Sequence, residues 1–393
     1  MSGPGVSEPP GAAQPGDELP PAAWAAAVSG LPAMGPARLA AVLGQWEPAE
    51  AWRVVAGGRA FAAPIVARAC RPDPHGVAAA WARAAAQVDV GETWEALGRA
   101  GVRVLVRGDA GYPADLLDDH EAPAVVFARG DPEVLAARRV AIVGTRQCSG
   151  YGADVARELG RDLAGAGVAV VSGLALGIDG AAHAGALDAA ATPPVAVVGS
   201  GLDVVYPRRH ARLWEEVAQR GLLLSEAPLG ARPEPWRFPV RNRVIAALAE
   251  AVVVVESHVR GGSLHTVDAA LARDRPVLAV PGSVRSPASA FPNALLADGC
   301  APARDALDVL VVLGLSSGSA PASPRRPAPT GEEATVLAAV GWEPATLDEV
   351  VARSGLGPGR AGLLLARLED DGWLVGRGGW WERLAGPAPA SGA

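Results

Sequence analysis

Between about residues 95 and 312 the chain repeats one pattern: a short run of aliphatic, mostly β-branched residues, then in most cases 15 to 25 residues with helical periodicity. The runs are VRVLV (102–106), RVAIVG (139–144), VAVVSG (168–173), PVAVVG (194–199), GLLLSE (221–226), AVVVVE (251–256) and PVLAVPG (276–282). Unbroken apolar strands are buried on both faces, and connections of this length start a parallel neighbour through a right-handed crossover. The pattern predicts an α/β fold: a parallel sheet with helices on both faces. Ligands in such sheets sit at the carboxyl ends of the strands. Here those ends carry most of the unusual residues.

The flanks differ in composition. Residues 1–20 are rich in Pro and Gly and read as a disordered tail. Ala, Leu, Val and Trp then recur at helical spacing, giving a small helical domain over 21–92 and the strand-rich domain over 93–313. A Ser/Pro/Ala linker occupies 314–330, a compact segment 331–386, and a second tail 387–393. The compact segment reads helix, helix, helix and hairpin, the winged-helix order.

Composition narrows the chemistry. All 35 basic residues of this 393-residue chain are Arg. Without Lys, Schiff-base catalysis and the Walker-type phosphate loop are excluded. Cys70, Cys148 and Cys300 form no CxxC pair, so neither a disulfide framework nor a structural metal site is expected, and a reducing cytoplasm fits. The start of the sequence has no basic and apolar leader pattern, and no apolar stretch of 18 residues or more follows, so a cytoplasmic protein without a membrane segment is expected. The net charge of −7 argues against indiscriminate polyanion binding. Any such binding has to be local.

Local positive charge is present. Gly144, Thr145 and Arg146 follow the second run, and the Gly/Ser-rich turn continues through Ser149 into a helix from about residue 153. Free N–H groups at a helix start suit a phosphate, and a plain βα turn is the alternative. After the third run, Gly173 and Gly177 bracket a turn, and Asp179 and His183 share a helix face. That pair reads either as acid/base machinery or, more plainly, as a cap and a buried polar group. Gly199 and Gly201 precede Tyr206, Arg208 and Arg209, an aromatic beside two cations or a solvated pair beside a structural Tyr. Between Ala231 and Arg243 stand Arg232, Arg237, Arg241 and Arg243, with Trp236 and Phe238 interleaved and Asn242 between the last two arginines. Charge alternating with stacking area is what a single-strand groove requires, and a solvated basic loop is the alternative. Arg260, Gly262, Ser263 and Thr266 then form a second glycine-lined anion site or a helix cap.

Nine motifs in order, GTRxxSxYG, SGLAxGIDxxAH, VVGSGLDxxYP, SEAPLG, FPxRNRxIAxL, VVVES, GGSLxT, AVPG and PNxLLxDG, together with the lead-in GYPADLLDDHEAPAVVFARGD (111–131), resemble the DNA-processing protein A family (DprA, also called Smf) over about 100–310. The resemblance implies an extended Rossmann-like fold, homodimerisation, and single-stranded DNA binding without a cofactor or catalytic residues. It implies protection of incoming DNA in natural transformation and loading of RecA recombinase where single-strand-binding protein coats the DNA. Arg146, Arg241 and Arg243, with the glycines and Ser263 and Thr266, would line the phosphate pocket. His210, Ala247, Gly261 and His265 depart from the family's usual residues. LPAMGPARLAAVL (31–43) resembles a helix-hairpin-helix turn with Ala33 in place of its first glycine, making 21–92 a SAM/helix-hairpin-helix-like domain.

Two other classes compete. A phosphoribohydrolase-type enzyme of a related Rossmann-like family would use a PGGxGT-like loop with a Glu and an Arg, but Gly261, Gly262 and Thr266 are spaced differently and Asp268 is the nearest carboxylate after Thr266. A protein-interaction module would work through the acidic winged helix, whose third helix has only Arg360 and Arg367 as cations.

Overall fold

The structure is a computed structural model that describes residues 19–315 and 329–384. The expected tail 387–393, all but the last two residues of the expected tail 1–20, and most of the expected linker lie outside these residues. Six helices come first: α1 (Pro21–Ser29), α2 (Pro36–Leu43), α3 (Pro48–Ala56), α4 (Pro64–Ala69), α5 (Pro74–Ala85) and α6 (Val90–Arg99). The first five begin on Pro. Proline's fixed φ and missing N–H fit the first helical position, so these prolines set where each helix starts. Trp81, fully buried, donates its indole N–H to the Pro32 carbonyl at 2.9 Å and ties α5 to the turn before α2. In that turn Ala33 adopts a positive φ of 54°, the conformation the missing glycine would take without strain.

The central domain runs β1 (Arg103–Val106), α7 (Ala114–Leu117), β2 (Val125–Gly130), β3 (Arg138–Val143), α8 (Gly150–Gly165), β4 (Val168–Ser172), α9 (Ile178–Asp188), β5 (Val195–Val198), α10 (Ala211–Arg220) and β6 (Leu222–Ser225). It continues through α11 (Arg237–Leu248), β7 (Ala251–Val254), α12 (Ser263–Leu271), β8 (Val277–Ala279), α13 (Ala290–Ala297), β9 (Ala301–Pro302) and α14 (Ala306–Val312). The strands form one nine-stranded sheet in the order β1-β2-β6-β5-β4-β3-β7-β8-β9. From β6 to β9 every neighbouring pair is parallel. The β1–β2 and β2–β6 pairs are antiparallel. This edge departs from the all-parallel expectation, and β2 is absent from the strands read above. The connection from β1 holds only a four-residue helix, so it reverses the chain instead of crossing over.

Both faces are covered, as the valine-rich strands require. Val140, Ile142, Val170 and Val253 pack under α8, α9 and α14, while Val143, Val171, Val197 and Val254 pack under α11 and α12. The chain leaves β3 toward β4, β5 and β6, then returns to β3's other side as β7. This reversal is a topological switch point, and it opens a crevice between the loops after β3 and β7.

The C-terminal segment forms α15 (Glu332–Val340), β10 (Ala345–Thr346), α16 (Leu347–Ser354), α17 (Pro358–Asp370), β11 (Leu374–Arg377) and β12 (Trp380–Arg383). Val336, Val350, Leu364, Leu365 and Trp373 make its separate core. Thr346 and Glu349 start α16 with a reciprocal capping box. Among the described residues no helix is long and apolar enough to cross a membrane.

Candidate nucleic-acid interface

At the switch point lies a cavity of about 640 Å³. The loop after β3 contributes Gly144, Thr145 and Arg146; α11 contributes Phe238, Arg241 and Asn242; the start of α12 contributes Gly262, Ser263 and Thr266. These nine residues, scattered over more than 120 positions, were all anticipated in the sequence. The structure brings them to one place because β3 and β7 are neighbours.

The anion chemistry of the two helix starts is not the same. At α8, Ser149 donates its backbone N–H to Glu256 at 2.8 Å and its hydroxyl to the other carboxylate oxygen at 2.7 Å, while accepting from the Gly152 N–H at 3.1 Å. A buried carboxylate from the strand end beside it already occupies the positive end of this helix. Ser149 is therefore part of an internal cap. At α12 the N-cap is Gly262 and no side chain caps the helix. Ser263 is turned away, donating its hydroxyl to Ser257 at 2.6 Å, and Asn242 holds the loop by donating to the Gly262 carbonyl at 3.1 Å. This second helix start opens into the cavity and presents N–H groups to a ligand there.

The arginines also divide. Arg146 is exposed and lies over the Phe238 ring, 4.9 Å from its centroid. Arg241 is buried, donates to the Val197 carbonyl, and sits in the field of buried Asp179. Burial pulls Arg241 down to about 10, opposed by Asp179, so it stays charged at neutral pH. Burial likewise raises Asp179, against Arg241 and the Gly173 N–H, which donates to it at 3.2 Å. Arg243 lies outside the cavity. It donates to Glu226 at 2.6 Å, both side chains being largely buried, and to the Glu121 carbonyl at 2.7 Å. It joins α11 to the 119–121 loop and does not line the cavity that was expected to hold a phosphate.

Glycine is required where backbone or guanidinium passes closest. A Cβ on Gly173 would fall 2.3 Å from the Arg241 guanidinium, and one on Gly177, whose φ is 78°, would fall 2.3 Å from the Thr145 carbonyl. Both glycines support the cavity from behind. Gly199 lies beneath Phe238 and Gly201 is buried against the 228–231 turn. Arg208, Arg209 and Arg260 are exposed outside the cavity lining, and Arg237 covers Trp236.

Aromatic rings line the same cavity as the α12 start. Tyr206 and Phe238 lie 5.5 Å apart between ring centroids, and Pro233, Pro235 and Pro239 rim the opening. His265 lines the cavity too, placing one of the departures from the family pattern at the site. Asp179 and His183 form no acid/base pair: His183 is fully buried, and burial takes its pKa down to about 3.

The family model described as DNA recombination-mediator protein A matches residues 103–314, more than half of the chain. The chain belongs to the DNA processing protein A family. The family's winged-helix model, described as DprA winged helix domain, matches residues 320–379. A putative DNA processing protein DprA of Mycobacterium tuberculosis is 42% identical over 282 residues, covering 69% of this chain and 72% of its own. Protein Smf of Escherichia coli is 36% identical over 281 residues, covering 70% and 75%. The X-ray structure of DprA from Streptococcus pneumoniae superposes with a TM-score of 0.61 at 30% identity, covering 75% of this chain and 98% of that one. In this member of the DprA family, the motif arginines split between an exposed, cavity-lining Arg146 and the inward-held Arg241 and Arg243.

Proposed function

We propose that the protein is a single-stranded DNA-binding recombination mediator that protects incoming DNA and helps load RecA onto strands coated by single-strand-binding protein, acting in the cytoplasm as a homodimer without chemical turnover. One observation carries the reading: an uncapped helix N-terminus, Arg146 and the Tyr206 and Phe238 rings line a single cavity. The first two suit a phosphate regardless of sequence, and Tyr206, exposed beside the Arg146-covered Phe238, offers a π-face to any base. A duplex hides its base faces, whereas a single strand presents phosphate and base together. Membership of a family described as recombination mediators supports the RecA step.

Oligo-dT affinity measured by fluorescence anisotropy is expected to fall steeply with salt, since released counterions drive phosphate binding. In strand exchange, adding the protein to a recombinase and a strand coated with single-strand-binding protein is expected to restore activity. No restoration would sink the mediator reading. Release of free base from nucleotides would instead revive the phosphoribohydrolase alternative, for which buried His183 supplies no proton at neutral pH.

A further inference from the structure

The 231–243 stretch carries an aromatic that the cavity above does not use. Trp236 immediately precedes α11 and is 44% exposed, yet it is held in place. Its indole N–H donates to the Glu234 carboxylate, and the Arg237 guanidinium covers the ring 4.6 Å from the centroid. Glu234 also lies 3.7 Å from the Arg237 Nε, so the three side chains brace one another. A large exposed ring fixed by a hydrogen bond and a stacked cation is pre-organised to receive another flat group.

Its surroundings suit that role. Trp236 and Arg237 wall a second cavity of about 680 Å³, closed by the 228–231 turn and by the 29–35 turn of the N-terminal domain. Pro233, Pro235 and Phe238 line the first cavity while Glu234, Trp236 and Arg237 line the second, so one segment, 233–238, contributes to both. Among the described residues Glu234 is the one carboxylate lining the second cavity, and it is engaged by Trp236 and Arg237.

We infer that Trp236, braced by Arg237 and Glu234, is a second base-stacking platform that guides a single strand out of the first cavity toward the 29–35 turn. The occupant is the continuing DNA strand, because the platform stands two residues from Phe238 on the segment that also lines the first cavity, and it carries a cation beside an aromatic face. The inference rests on the single-strand reading and deepens it.

Binding of the full chain to dT oligonucleotides of about six and about 25 nucleotides separates the two, since a short strand fills only the first cavity. Trp236→Ala is expected to weaken the longer oligonucleotide about fivefold or more and leave the shorter within about twofold, with the salt slope unchanged because no phosphate contact is lost. Trp236→Phe is expected to restore most of the difference. Equal loss on both lengths, no loss on either, or a Phe variant as weak as Ala overturns the platform while the single-strand reading stands. Wild-type protein binding neither length overturns both. Independently of any variant, photocrosslinking from bromouracil in the longer strand is expected to label Trp236; labelling confined to the first cavity overturns the platform.

Discussion

Arg146 and Arg241 stand in the same cavity and differ in what holds them. Arg146 is exposed and rests on Phe238, so Arg146→Ala is expected to reduce oligo-dT affinity by about tenfold and the salt slope by about one, with no change in melting. Arg241 is buried beside Asp179, and Arg241→Ala leaves that carboxylate without its cation. A loss of about 3–5 kcal/mol in urea unfolding is expected, and an affinity loss with intact stability would contradict the structural role. Arg139 serves the fold in the same manner, donating to the Leu248 and Ala137 carbonyls and pairing with Asp115 at 2.6 Å. The planar guanidinium with its five donors satisfies several buried acceptors at once. His183 adds a pH dependence. Its native pKa of about 3 lies below the ordinary 6.5, so between these values the unfolded chain binds a proton that the native state does not. Stability is expected to fall by about 1.4 kcal/mol per unit as pH drops through that window, and to be unaffected by this residue above it. Urea melts of wild type and His183→Asn at pH 7 and pH 5 compare the two; identical pH dependence would remove His183 as the cause.

At the scale of elements, the two helix starts at the switch point have opposite assignments. Sequence showed a Gly/Ser turn before α8 and a Gly/Ser turn before α12, chemically alike. Glu256 distinguishes them by filling the first and leaving the second open. Gly262→Ala tests the open one. A Cβ there meets nothing within 4 Å and φ is −64°, so stability is expected to change by no more than about 0.5 kcal/mol. Oligo-dT affinity is expected to fall roughly tenfold, because the methyl stands where a phosphate approaches the N–H groups. Retained affinity would move the phosphate elsewhere. The strands were legible because two-sided burial leaves long valine runs. The strand β2 was less so, since its VVFARG run belongs to an antiparallel edge and ends on a partly exposed Arg and Gly.

For the molecule as a whole, the cavity is built from the central domain, and the winged helix keeps its own core. A chain ending after Leu315 is therefore expected to retain oligo-dT affinity. Loss on truncation, read in the same anisotropy assay, would give the C-terminal domain a direct share in binding. The N-terminal domain stands differently, since its 29–35 turn walls the second cavity. Much of this protein is local in the sequence: valine runs and helical spacings specify layers, prolines specify helix starts, and ordered motifs specify the family. The arginines that cluster along 232–243 in the sequence do not cluster at the cavity, where among the described residues only Arg146 and Arg241 of the arginines line the wall. Which arginine lines the cavity in the open and which helix start is free depended on contacts between distant residues, such as Arg146 with Phe238 and Ser149 with Glu256. Those pairs meet because β7 returns to lie against β3. A carboxylate neutralises whichever helix end the sheet order places beside it, so the site's electrostatics belong to the tertiary structure.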